Sequence, residues 1–196
     1  MALRAAGLEY VVVRASSWEP GPAFDRLLKV NPLGQVPTLV LDDGTVLSES
    51  VAILLHLALT YPDAGLLPQS PAARATALRA LMFVAANCYP AVSVSDYPER
   101  WTTARTSAAR EGVRLAARAR LHRHWEAFAD LFGKPAVMQP REPGAVAFLA
   151  VVVSQWSGTR AYLAVARPAF HRLLLRLERH PRLAEVLREH RDGHVQ

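Results

Sequence analysis

Apolar residues fall into two patterns along this 196-residue chain. Up to about residue 60 they form short β-branched runs broken by Gly, Pro and Asp, whereas from Pro71 onward they recur at helical spacing. In the first part, residues 1–7 (MALRAAG) are alanine-rich and predict a short helix with Gly7 as its C-cap. Residues 9–14 (EYVVVR) hold three consecutive valines and predict a strand buried on both faces. Residues 15–22 read as a connection anchored by Trp18, and residues 23–30 as a short helix that stops before Asn31-Pro32. Val36 and the run 38–41 (TLVL) predict a strand, Asp42-Asp43-Gly44 a turn and residues 45–47 the return, which makes a hairpin. Ser48-Glu49-Ser50 then marks a helix start near Ser48, where Val51, Leu54, Leu55 and Ala58 begin a helical period.

That helix is expected to end near Tyr61-Pro62-Asp63. Residues 63–70 read as a linker between an N-terminal unit, 1–62, and an all-helical unit, 71–196. Residues 72–94 predict a long apolar helix kinked by Pro90, which removes one hydrogen bond and clashes with the carbonyl of Ala86. A kink beside the hairpin could shape an apolar pocket, with Phe83, Asn87, Tyr89 and Tyr97 as candidates for its wall. Residues 102–131 predict a basic helix ended by Gly133 and Pro135. Residues 143–156 form the most apolar helix and the expected centre of the core, and residues 167–179 and 181–190 the last two helices, with Phe170, Leu173, Leu174 and Leu177 at core spacing.

Two short stretches suit chemistry as well as structure. A proline entering a sheet at Val36-Pro37 removes one donor, and a cis bond there would turn the Val36 backbone outward, where its N–H and C=O can pair with an extended peptide. At Glu49-Ser50, a helix N-terminus favours an anion, Ser50 can donate to a carboxylate and Glu49 can accept from an ammonium. Together these suit an amino-acid head group; the alternative is an ordinary hairpin followed by an ordinary helix cap.

Composition narrows the class. With 51% hydrophobic and 20% charged residues the chain reads as globular, and the longest uninterrupted apolar runs, such as residues 145–153, are too short to cross a bilayer. No signal-peptide pattern opens it, so no membrane partner and a cytoplasmic location are expected. Its one cysteine, Cys88, excludes an intrachain disulfide and reads as a buried, inert thiol. The formal charge is +6, and Arg105, Arg110, Arg114 and Arg118 would form a loose stripe on one helix, near Arg100, Arg120 and Arg123. Without interleaved aromatics or a nucleic-acid-binding signature the stripe reads as a solvated face, ahead of anion-attracting cleft or nucleic-acid contact. His122 and His124 are two residues apart, on different faces of a helix, so no metal site is expected.

The run NPLGQVPTLVLDDGTVLSESVAILLHL, residues 31–57, resembles the glutathione-binding half of the glutathione S-transferase family, whose members carry an N-P-x-G-x-V-P turn and an L-x-E-S-x-A-I helix start. The resemblance implies a thioredoxin-like α/β unit followed by a helical bundle, paired as a homodimer. It implies that Val36 pairs through its backbone with the cysteinyl unit of glutathione, that Pro37 is cis, and that Glu49 and Ser50 hold the γ-glutamyl head. Gln35 stands where many relatives place a lysine near the glycyl carboxylate, which implies a weaker contact. The family's chemistry is conjugation of the glutathione thiol to a small apolar electrophile, with a role in detoxification; the alternative is a catalytically silent binding or protein-interaction module on the same fold. In the family, a central strand and the tyrosine, serine or cysteine that activates the sulfur precede the first helix. This sequence shows neither ahead of Tyr10, so the expectation is a late start or a rearranged domain, unpaired strand edges and no assigned catalytic residue. Relatives also cap the helix at 143–156 with Ser/Thr-x-x-Asp; Gly144 and Ala147 stand there instead, with Glu142 as a partial substitute.

Overall fold

The computed structural model describes residues 1–15 and 20–191. Ser16, Ser17 and the expected loop anchor Trp18 lie outside those described residues. Helix α1, Ala2–Ala5, closes as its composition predicts: Gly7 adopts φ +68°, and the N–H groups of Gly7 and Leu8 donate to the carbonyls of Arg4 and Leu3. Residues 8–15 form no regular structure, which corrects the expected strand at 9–14. Val11 and Val13 are 89% and 67% exposed rather than buried. Valine favours a strand only when a neighbouring strand supplies a ladder, and among the described residues the sheet has two strands, β1 (Thr38–Val40) and β2 (Val46–Ser48), paired antiparallel with each other. Residues 8–15 are tethered by side chains instead: Arg4 donates through Nε to Tyr10 Oη (2.9 Å) and through Nη2 to Glu189 (2.6 Å).

Helix α2, Pro22–Val30, precedes the hairpin, and α3, Ser50–Thr60, follows it, two residues later than the expected start. A 3₁₀ turn, Pro62–Ala64, leads to α4, Pro71–Phe83, capped by Ser70. A π-helical segment, Val84–Cys88, joins α4 to α5, Tyr89–Asp96, and is the form the expected kink takes at Pro90. Helix α6, Ser107–Phe132, starts five residues later than its composition suggested, because Thr106 Oγ1 accepts from the Ala109 N–H while Thr102 Oγ1 is engaged by Ala104 in a local turn. Helices α7 (Pro135–Met138), α8 (Ala145–Val153), α9 (Thr159–Ala166), α10 (Pro168–Glu178) and α11 (Pro181–Arg191) complete the chain, α9 having no counterpart in the sequence reading.

Helix α8 occupies the centre, every residue but Val152 being buried, with Trp125, Phe128 and Phe132 of α6 and Leu174 and Leu177 of α10 in the same cluster. Val51, Leu54, Leu57 and Ala58 of α3 join that cluster, so one continuous apolar core ties the hairpin's helix to the bundle. The run Pro71–Asp96 contains an 18-residue window of mean hydropathy 1.4, long and apolar enough by composition alone to cross a membrane, as core helices also are. Its Ala77, Ala80, Leu81, Val84, Cys88 and Ala91 face the core.

At the N-terminus of α8 the side-chain cap is absent, and Glu142 does not replace it: its carboxylate lies 3.6 Å from Arg182 Nη2. The Ala145 N–H donates to the carbonyl of Leu66 at 2.9 Å, so the connection before α4 satisfies the helix end. Arg182 braces the same place, donating to the carbonyls of Ala64 (3.2 Å) and Pro143 (3.3 Å).

Candidate functional site

The turn before β1 is built on Asn31, a buried polar residue whose side chain is fully engaged. Its Nδ2 donates to the carbonyl of Gln35 (3.0 Å) and to Thr38 Oγ1 (3.1 Å), its Oδ1 accepts from the Leu33 N–H (3.1 Å), and its carbonyl accepts from Gly34 (2.8 Å). Thr38 Oγ1 donates to the Gln35 carbonyl as well (2.8 Å). Gly34 is required twice over: its φ is +60°, and a Cβ would stand 2.6 Å from the Phe24 ring of α2. These restraints present Gln35, Val36 and Pro37 at the surface, with the Val36–Pro37 peptide cis. Val36 is 46% exposed, and its main-chain N–H and C=O have no hydrogen-bond partner among the described residues. That is the arrangement an added extended peptide requires.

The second half of the site is the junction of β2 and α3. Glu49 is the N-cap of α3 and holds φ +68°, ψ 123°, outside the regions a side chain normally allows. Its carbonyl accepts from the Ile53 N–H (3.0 Å), but its side chain makes no cap hydrogen bond, and its exposed carboxylate, near enough to Tyr89 to act on the phenol electrostatically, makes no hydrogen bond or ion pair among the described residues. The first N–H groups of α3 therefore remain open to an anion. Ser50, at the first position of the helix, has its Oγ 3.2 Å from Tyr89 Oη.

The four residues expected to line one pocket do not gather. Phe83 packs against the rings of Phe128 and Phe132 at 6.0 and 5.7 Å, inside the aromatic cluster. Asn87 donates through Nδ2 to the Phe83 carbonyl (3.0 Å), while its own carbonyl meets His124 Nδ1 (2.8 Å). Tyr97 carries the Arg100 guanidinium over its ring at 4.3 Å. Tyr89 alone reaches the α3 terminus, with Trp156 beside it at 5.7 Å. Helix geometry accounts for part of the separation, since Asn87 and Tyr89, two residues apart, point to different faces, and the π segment changes the phase between Phe83 and Tyr89 as well. Burial pushes the Tyr89 phenol above its ordinary range, so it is neutral at neutral pH.

Cys88 is fully buried, and burial pushes its thiol up to about 12, as its apolar surroundings suggested. In the basic stripe, Arg114 pairs with Glu111 (2.8 Å) and donates to the Ser95 carbonyl (3.3 Å), and with Arg105 and Arg110 it lines a surface depression of about 560 Å³. Sequence reasoning missed two things: the central place of Asn31, for which Asn-Pro ahead of a glycine was the available signal, and the meeting of Ser50 with Tyr89, thirty-nine residues away, for which there was none.

The family model described as glutathione S-transferase, N-terminal domain, matches residues 1–60. The GST-like protein YncG of Escherichia coli (strain K12) is 39% identical over 100 residues, covering 50% of this chain and 48% of its own. A Sulfitobacter glutathione transferase homologue, solved with bound glutathione, superposes with a TM-score of 0.76 at 24% identity, over 96% of this chain and 89% of its own. A glutathione S-transferase from Methylobacterium radiotolerans, solved with glutathione sulfonate, gives 0.71 at 27% identity, over 94% and 85%. The chain spans about half the length of the curated relatives it matches. Together these likenesses show a thioredoxin-like N-terminal part and a helical C-terminal part.

Proposed function

We propose that the chain is a member of the glutathione S-transferase family and that it binds glutathione across the Val36 turn and the N-terminus of α3. Val36 pairs through its N–H and C=O with the cysteinyl unit, Ser50 and the open N–H groups of α3 hold the γ-glutamyl carboxylate, and Glu49 accepts from the γ-glutamyl ammonium. Gln35 meets the glycyl carboxylate without a lysine's charge. The observation that carries this reading is Glu49, whose backbone costs about 1–3 kcal/mol and gains no cap hydrogen bond in return. A strained residue whose exposed carboxylate makes no hydrogen bond or ion pair among the described residues, beside an open helix end, suits recognition of an amino-acid head group. The glutathione sulfonate bound by the Methylobacterium relative supports the same ligand class. Calorimetric titration tests the proposal: wild type binds glutathione, and Glu49→Ala and Ser50→Ala each weaken binding at least tenfold, since each removes a bond to a charged group.

Conjugation to a small apolar electrophile needs a donor that stabilises the glutathione thiolate. Cys88 does not serve, being buried and protonated. Turnover with a generic electrophile separates the two readings: a rate above the uncatalysed one makes the protein a transferase, and none makes it a glutathione-binding module. The proposal also assigns residues 1–62 to the ligand-binding domain, 63–70 to the linker and 71–196 to the helical domain. It places the protein in the cytoplasm as a homodimer, and light scattering tests the second of these.

A further inference from the structure

The Ser50 and Tyr89 hydroxyls stand 3.2 Å apart, one on the ligand-binding half and one on the helical half of the chain, and either oxygen can donate to the other. A serine hydroxyl has a single proton. If Ser50 gives that proton to a carboxylate, its bond to Tyr89 survives only with the phenol as donor. Tyr89 is equipped for that role: it is neutral at neutral pH, and its ring is steadied by Trp156 at 5.7 Å. The π segment ends immediately before it, and the bonds from Asn87 Nδ2 to the Phe83 carbonyl and from His124 Nδ1 to the Asn87 carbonyl hold that segment in place.

We infer that Tyr89 is a positioning residue of the head-group site, donating to Ser50 Oγ so that the Ser50 proton is directed at the γ-glutamyl carboxylate. The inference rests on the glutathione-binding reading and adds to it a contribution from outside the thioredoxin-like half. A chain of two hydrogen bonds ending on an anion strengthens both, because each polarises the next. The Ser50 rotor is also fixed before the ligand arrives, which removes an ordering cost from binding.

The test is a double-mutant cycle on glutathione affinity with wild type, Tyr89→Phe, Ser50→Ala and the double variant, with the unfolding midpoint of each as a control for the fold. Tyr89→Phe keeps the ring against Trp156 and removes only the hydroxyl. It is expected to weaken glutathione about 3- to 10-fold, the range of one hydrogen bond, and to cost nothing further once Ser50 is alanine. Cysteinylglycine, which lacks the γ-glutamyl head, is expected to bind wild type and Tyr89→Phe equally. Wild-type affinity in Tyr89→Phe, the same loss in the Ser50→Ala background, or the same loss with cysteinylglycine overturns the inference while glutathione binding stands. Absence of binding in the wild type overturns the function reading, and this inference with it.

Discussion

The carbonyl oxygen of Leu66 accepts the main-chain N–H of Ala145 at 2.9 Å, so the most buried helix of the protein is capped by the connection that leads out of the hairpin region. Gly144 makes the contact possible, because a Cβ there would stand 2.6 Å from the Leu66 oxygen and 2.9 Å from that of Gly65. Gly144→Ala is therefore expected to destabilise by about 1–3 kcal/mol, since both neighbours are backbone that cannot rotate away. Gly112→Ala is the control: it lies inside α6 with open space where the methyl would stand, and is expected to stabilise by about 0.5–1 kcal/mol. Thermal unfolding of both variants, with midpoints moving in opposite directions, checks the pair.

Glu49→Gly separates stability from binding at one position. Glycine adopts a positive φ without a Cβ clash, so the variant is expected to gain about 0.5–1 kcal/mol in chemical unfolding. The same change deletes the carboxylate and is expected to weaken glutathione in calorimetry. A gain in stability together with a loss of affinity is the signature of strain kept for function.

Asn31→Ala is expected to cost about 1–3 kcal/mol, because the Leu33 N–H loses its side-chain acceptor, the Gln35 carbonyl loses one of its donors and Thr38 Oγ1 loses a bond. Since the same bonds shape the backbone around Val36, glutathione affinity is expected to fall with stability. Denaturant titration and calorimetry on the one variant measure both.

The Cys88 thiol gives a pH dependence whose sign is fixed by burial. Its folded value of about 12 lies above its ordinary 9.0, so its contribution to stability is fully present below pH 9 and is lost as pH rises from there toward 12. In that window the native state loses roughly 1.4 kcal/mol per pH unit to this group. Urea unfolding of wild type and Cys88→Ala at pH 7 to 10.5 isolates it: wild type is expected to lose stability faster above pH 9.

What the sequence disclosed follows from how local each feature is. The turn at 31–37, the hairpin and the start of α3 were legible because glycine, proline and a helix-start triplet act within a few residues. The apolar spacing of residues 145–153 likewise marked the core. Residues 9–14 were misread because the valines of a strand and of an exposed segment look alike until a ladder partner is found. The cap of α8 was invisible because it is a main-chain oxygen supplied from Leu66. Helix α9 was missed because Gly158, in a left-handed conformation with no side-chain cap, precedes it where a polar cap would have marked a start. Pro90 announced a break in the helix, but the Tyr89 partnership joins residues thirty-nine positions apart, which no local pattern encodes.

Glutathione is expected to lie against Val36 and the N-terminus of α3. Backbone amide NMR during titration with glutathione tests it most directly. Saturable shifts are expected to concentrate at Val36, Ser50 and Val51, with the Val36 amide, which has no partner in the free protein among the described residues, becoming protected from hydrogen exchange. Shifts centred on the Arg105–Arg110–Arg114 depression, or none at these amides at millimolar ligand, would contradict it.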